Sequence, residues 1–282
     1  MVLNLRGGNT LGQIFSHSRR FDQGMGNIRP GQATAVVALD GSGDFEDIRE
    51  AMNSLPTGGG VVYIKEGNYK YGAQLVIPKA NISLIGAGKS TILTGSNGIY
   101  SENKVGILIQ SLSLVGDDTI GANGIHFDEG DQSSIKDCWV THMETGIMLS
   151  AGGGKDGVIV SNNFCNVCTY GIGTSGCEGV TIIGNTCISN TSNGIDWDAG
   201  SDSTITGNIC NSNGNDGILL EGGTANNTVS NNICNSNTNN GITVDGGTET
   251  DNIITSNRCS GNTNADIVDT GTRTDLSHNI TM

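Results

Sequence analysis

Four carboxylates crowd into the second half of this 282-residue chain: Asp196, Asp198, Glu221 and Asp245. Asp198, Glu221 and Asp245 each stand fourth after a glycine (Gly194, Gly217, Gly241), and Asp196 lies two residues before Asp198. If these segments stack, neighbouring carboxylates repel, and one of them can hold a proton near neutral pH. Glycoside hydrolysis uses such a pair, about 5–5.5 Å apart for retention or about 6.5–9.5 Å for inversion. Asp198 with Glu221 suits the shorter spacing and Asp196 with Asp198 the longer. The same oxygens could instead bind Ca²⁺, the one cofactor the sequence leaves open. The plainer reading is a solvated acidic stripe near turns.

A second outward pair is His126 and Asp128, with Met148 and Ser150 expected one repeat later. Acid–base work is conceivable there, but a single pair without a third partner is also what a surface histidine without a role looks like. Of the eight cysteines, Cys165 and Cys168 form a lone C-x-x-C without a histidine pair, a poor metal signature. Cys187, Cys210, Cys234 and Cys259 recur with the repeat and read as buried thiols, with a Cys168–Cys177 bridge as an alternative. Gly86-Ala87-Gly88-Lys89-Ser90 resembles the end of a phosphate loop, but Ser83 stands where the first glycine belongs, so a turn explains it better. The sequons at Asn81, Asn190, Asn226 and Asn279 are chance matches in an Asn-rich chain.

The elements that must position these residues repeat. One strand opens on Gly-Ile at residues 124, 146, 171, 194, 217 and 241, in steps of 22, 25, 23, 23 and 24. A second carries Asn-x-Cys from Asn163, Asn185, Asn208, Asn232 and Asn257, in steps of 22, 23, 24 and 25. Asp137-Cys138-Trp139 fits one rung earlier with Trp139 in the cysteine place. Such a period means stacked rungs, with equivalent residues roughly 4.8 Å apart and an amide ladder along the Asn column. Alternation points Phe127, Leu149, Thr174, Trp197, Leu220 and Val244 inward, and Asp128, Ser150, Ser175, Asp198, Glu221 and Asp245 outward. The expected fold is all-β: a single-stranded parallel β-helix over residues 36–282.

Residues 44–55 read as a short helix capped by Asp44, with Phe45, Ile48, Met52 and Leu55 on one face, ended by Pro56 and covering the first rung. Residues 1–35, with four arginines and no period, read as an arm that anchors or docks on a particle or partner protein. The last residues align with the middle of a rung, so another chain or subunit is expected to cover that end.

The formal net charge of −14 opposes nucleic acid as a partner. No apolar run reaches the roughly 18 residues of a membrane span, and the N-terminus lacks a signal-peptide pattern. The 44 glycines against 3 prolines fit a fold with a turn every few residues.

Asp40-Gly41-Ser42-Gly43-Asp44-Phe45, Ile48 to Ala51, Gly60-Val61-Val62-Tyr63-Ile64, Gly67-Asn68-Tyr69 and Ile82 to Gly86, followed by the Asn-Gly-Ile and Asn-x-Cys rungs, resemble the pectin-lyase-like superfamily. The resemblance implies a right-handed coil. Its members include polysaccharide lyases, hydrolases, esterases, epimerases and phage tailspikes. This sequence departs from the enzyme patterns: it has no Gly-His-Gly with a downstream Arg-x-Lys, no Asp-Pro-His-Glu, and no pectate-lyase arginine beside a calcium cluster. Two expectations follow. One is a spike or fibre, virion-associated or extracellular, trimeric as tailspikes are, that binds a surface glycan. The other is a polysaccharide hydrolase or lyase working through Asp196, Asp198, Glu221 or Asp245.

Overall fold

A computed structural model describes residues 34–151 and 157–281. Nearly every element is a short strand of two to six residues, and every strand pairing is parallel. Strands from successive rungs line up in chain order in three faces. One face is a ten-stranded sheet running from Thr34–Val37 to Ile253–Thr255. The second is a nine-stranded sheet from Leu75–Val76 to Ala265–Asp269. The third divides into a six-stranded sheet and a three-stranded one, joined by single bridges at Ile209. This is the parallel β-helix that the periodicity predicts. Register confirms the stacking: Cys165 pairs with Cys187, and Cys234 with Cys259.

The corners follow from backbone chemistry. One residue at each corner adopts a left-handed conformation, and Asn, Asp, Ser and Gly fill most of these places: Ser111, Asp137, Asn162, Gly184, Gly207, Asn231 and Ser256 form one such column. The next residue then turns inward. In later rungs it is asparagine, and the amides stack: Asn208 Nδ2 donates to Asn232 Oδ1 and to Ile182 O, both at 3.0 Å. The expected ladder extends to Asn279, and two further ladders run through Asn190, Asn213, Asn237 and Asn262 and through Asn227 and Asn252.

Three expectations need correction. Trp139 is not in the cysteine place: it pairs with Phe164 on the outer surface, and Val140 pairs with Cys165 inside. Cys138 instead takes the first place of the Asn ladder, donating its N–H to Asn163 Oδ1 at 3.0 Å. The helix is shorter than 44–55. It spans Ile48–Ser54 and is capped by Asp47, whose Oδ1 accepts from the N–H of Arg49 and Glu50. Asp44 serves the neighbouring strand, accepting from Val36 N at 3.0 Å. Leu55, restricted by Pro56, leaves the helix in extended conformation. Ile48, Ala51 and Met52 are buried against the first strands, so the helix does cover the first rung. Cys168 and Cys177 are both buried, and no disulfide joins them. The arm read over residues 1–35 lies outside the described residues up to position 33, and Thr34 and Ala35 already pair with Val61 and Val62. Among the described residues no helix is long and apolar enough to cross a membrane.

Candidate functional site

The outer surface of the nine-stranded sheet gathers the predicted residues. Register stacks Tyr100, His126, Met148, Gly173, Asp196 and Leu219 in one column, and Glu102, Asp128, Ser150, Ser175, Asp198 and Glu221 in a parallel one. Asp245 follows the register pair Leu220–Val244, so it continues the second column beside Glu221 as an exposed residue just past its strand. Neither column holds a Lys or Arg.

Asp196 sits between Gly173, which has no side chain, and Leu219, which is only 8% exposed. Its Oδ1 is buried without a hydrogen-bond partner. Burial pushes its pKa up to about 6, and the charge of Glu221 adds to this; the Asn193 amide pulls the other way, while Asp198 and Asp216 add to the rise. Burial also raises Glu221, helped by Asp198 and Asp245. Asp216, on the flank, is raised by burial although Asn240 N donates to it at 2.8 Å. Asp196 can therefore keep its proton up to a pH of about 6, well above the ordinary carboxylate range.

The strand that carries Asp196 and Asp198 is pinned from inside. Trp197 points inward and is fully buried, as alternation predicts. Thr174, a polar residue in that apolar column, accepts from Asp198 N at 3.2 Å and donates to Asp196 O at 3.4 Å. A Cβ at Gly222 would collide with Asp198 Oδ1, so a glycine in left-handed conformation leaves room for that carboxylate.

His126 and Asp128 also have company. Ser150 Oγ lies 2.8 Å from His126 Nε2 and donates to Asp128 Oδ1 at 3.0 Å. Tyr100 donates to Asp128 Oδ2 at 3.2 Å and packs its ring 5.1 Å from the imidazole. The sequence reading missed Tyr100, Asn193 and Gly222, and placed Thr174 inward, as it is, without its bonds to the strand of Asp196 and Asp198. Tyr100 did carry a signal, because Gly98-Ile99 repeats the Gly-Ile opening one rung before the alignment begins. Among the described residues, no three His, Cys, Asp or Glu side chains meet in an arrangement that could hold a metal ion.

The sequence model of the right-handed β-helix region matches residues 123–281, more than half of the chain. The chain belongs to the right-handed β-helix family. The superfamily resemblance noted from the opening motifs stands with it: a pectinesterase model matches residues 34–130, a stretch that includes His126 and Asp128 and ends before Asp196. Among curated relatives, a probable pectinesterase/pectinesterase inhibitor 23 of Arabidopsis thaliana is 33% identical over 116 residues, 38% of this β-helix chain and 20% of the relative. Probable pectinesterase 56 of the same plant is 41% identical over 73 residues, 24% of this chain and 25% of the relative. The chain thus spans about a fifth to a quarter of those relatives. Among solved structures, ORF18 of Geobacillus virus E2 has a TM-score of 0.69 at 15% identity, covering 97% of this chain and 65% of that one. The periplasmic alginate epimerase AlgG gives 0.60 at 13%, covering 77% and 60%. The Dettilon tailspike protein gives 0.53 at 17%, covering 72% and 44%. These likenesses establish the fold.

Proposed function

We propose that the protein is a glycan-binding β-helix and that the outer face of its nine-stranded sheet hydrolyses the polysaccharide it binds. Asp196 is the proton donor to the glycosidic oxygen, and Asp198 or Glu221 is the ionised partner. The observation that carries this reading is the half-buried Asp196 carboxyl, its pKa raised to about 6, with one oxygen lacking a partner. The missing cation in both columns favours a neutral glycan over a polyuronate, because a carboxylate-lined face repels acidic sugars. Relatives named as pectinesterases and a fold neighbour named as an alginate epimerase support polysaccharide as the substrate class. A reducing-sugar release assay over a panel of neutral and acidic polysaccharides tests it. Asp196→Asn and Glu221→Gln are expected to lose about 10²–10⁴-fold in rate while remaining folded. Unchanged cleavage in both variants sinks the proposal.

A second reading places the same surface on a spike or fibre of a virus particle, working as a homotrimer that recognises a host glycan. What favours it is the extent of the likeness to the Geobacillus virus structure, 97% of the chain. Binding on a glycan array without sugar release, together with a trimer mass in solution, supports this reading; a monomer counts against it.

A further inference from the structure

The carboxylate site leaves the rungs just before it on the same face unused: Ser150 stands two rungs before Asp198, with Ser175 between them. There, Ser150 is the only hydroxyl between two proton acceptors, His126 Nε2 at 2.8 Å and Asp128 Oδ1 at 3.0 Å. Asp128 already accepts from Tyr100, which binds its other oxygen at 3.2 Å. On the far side of the imidazole, the Asn123 amide lies 3.4 Å from Nδ1. Two proton arrangements are open to this network; the first satisfies every group, and the second gives up the Ser150 bond to Asp128 Oδ1. In one, the Asn123 N–H donates to Nδ1, Nε2–H donates to Ser150, and Ser150 donates to Asp128. In the other, the amide is turned over so that its oxygen accepts from Nδ1–H, and Nε2 becomes the acceptor of the Ser150 proton. The second arrangement is a nucleophile, a base and a residue orienting the base, which are the roles that define acyl transfer irrespective of chain order.

We infer that Ser150 is a nucleophile for acyl transfer, with His126 as its base and Asn123 as the positioning residue, acting on an O-acyl ester borne by a glycan on this face. Ser150 Oγ forms a bond to the acyl carbon as its proton passes to His126 Nε2. The C–O bond to the sugar breaks, and the sugar oxygen leaves with that proton. Water then repeats the sequence, releasing the carboxylic acid and restoring Ser150. Burial holds the His126 pKa below its usual value, with Asp128 opposing, so the imidazole is in its basic form at neutral pH. Ser175, the register partner of Ser150 on the next rung, presents a hydroxyl on the same side to the developing oxyanion.

The full chain, treated with a fluorophosphonate probe and mapped by peptide mass, is expected to carry its adduct on Ser150. It is also expected to turn over p-nitrophenyl acetate. Ser150→Ala should lose both, and His126→Gln should lower turnover by about 10²–10⁴-fold, each variant melting with the parent. Asn123→Ala is expected to lower kcat without raising KM, and Asn123→Asp to restore it. Asp196→Asn should lose sugar release with ester turnover still present, so the two sites, two rungs apart, are tested separately. No adduct on Ser150, or full turnover in Ser150→Ala, overturns the inference.

Discussion

The early and late rungs of the shaft turn the same corners with different chemistry. At the corner after the ten-stranded sheet, the inward residue is Leu112, then Cys138, then asparagine from Asn163 to Asn279. At the next corner it is Met143, then Cys168, then Asn190 onward. At the third it is Ile107, then Ser133, whose Oγ accepts from Ile107 N at 3.0 Å, then Val158 and Val180, then Ser203, then Asn227 and Asn252. An apolar corner gains from burial and tolerates many side chains. An amide corner ties each rung to its neighbours through directional bonds: Asn208 Oδ1 accepts from Asn185 N at 2.9 Å and from Asn185 Nδ2 at 3.0 Å. The difference is one of tolerance: the late rungs fix register bond by bond, and the early rungs, Ser133 apart, fix it by packing. The paired carboxylates, whose chemistry depends on rung-to-rung spacing, sit on late rungs.

Exchanging the two fillers is the strongest test of this comparison. Asn208→Leu leaves Asn185 N without its acceptor and takes one bond each from Asn185 Nδ2, which keeps Val160 O, from Ile182 O and from Asn232 Oδ1. The orphaned N–H costs about 1–3 kcal/mol and each lost bond about 0.5–1.5 kcal/mol, so a loss of roughly 4 kcal/mol is expected in denaturant unfolding. Leu112→Asn, which buries an amide in an apolar corner, is expected to lose about 3 kcal/mol. Should Asn208→Leu behave as a mild hydrophobic swap, the distinction between the two halves fails.

A smaller effect comes from pH. The folded pKa of Asp196 is about 6 against an ordinary 3.8. The fold therefore binds this proton more tightly than the unfolded chain does. Its contribution is complete below the ordinary value and is lost as pH rises through about 4 to 6, an upper bound of roughly 3 kcal/mol. Asp196→Asn is expected to match the parent in thermal melts at pH 3 and to melt higher at pH 7. Equal melting at both values would mean that the carboxyl is not held in its raised state.

The smallest effect compares two glycines under the large inward aromatics. A Cβ at Gly200 would collide with the indole of Trp197, whereas one at Gly130 would meet Phe127 Cβ at 2.9 Å and ring carbons beyond 3 Å. Gly200→Ala is expected to cost about 2–3 kcal/mol and Gly130→Ala about 1 kcal/mol in thermal unfolding. The reverse order would show that the late rungs yield more readily than their bonding implies.

The same division explains what the sequence could disclose. Amide and thiol columns recur as letters, so the rungs from Asn163 onward, the inward Trp197 and the stacking of Asp198 on Glu221 were legible. Apolar corners accept Leu, Met, Val or Cys alike, so the register slipped by one residue at Trp139 and Tyr100 went unaligned. The helix cap was misplaced because Asp44 and Asp47 are both suited to the role, and only the strand beside Asp44 decides between them. Legible stacking was still not the whole of the site. That Asp196 is held half-buried by Asn193 and Leu219, or that Ser150, legibly stacked on Asp128, also reaches His126, depends on side-chain packing that no spacing encodes.

The thiol column has a consequence for how the shaft meets reagents. Cys210 and Cys234 are fully enclosed, and burial lifts their pKa well above the ordinary thiol range; burial takes Cys138 and Cys168 to about 12. Alkylation needs both a thiolate and a path to it, and the closed coil offers neither. An alkylating agent should therefore meet the folded protein as though it held no cysteine at these places. Each sulfur that does become labelled then dates the moment its own turn of the coil came apart.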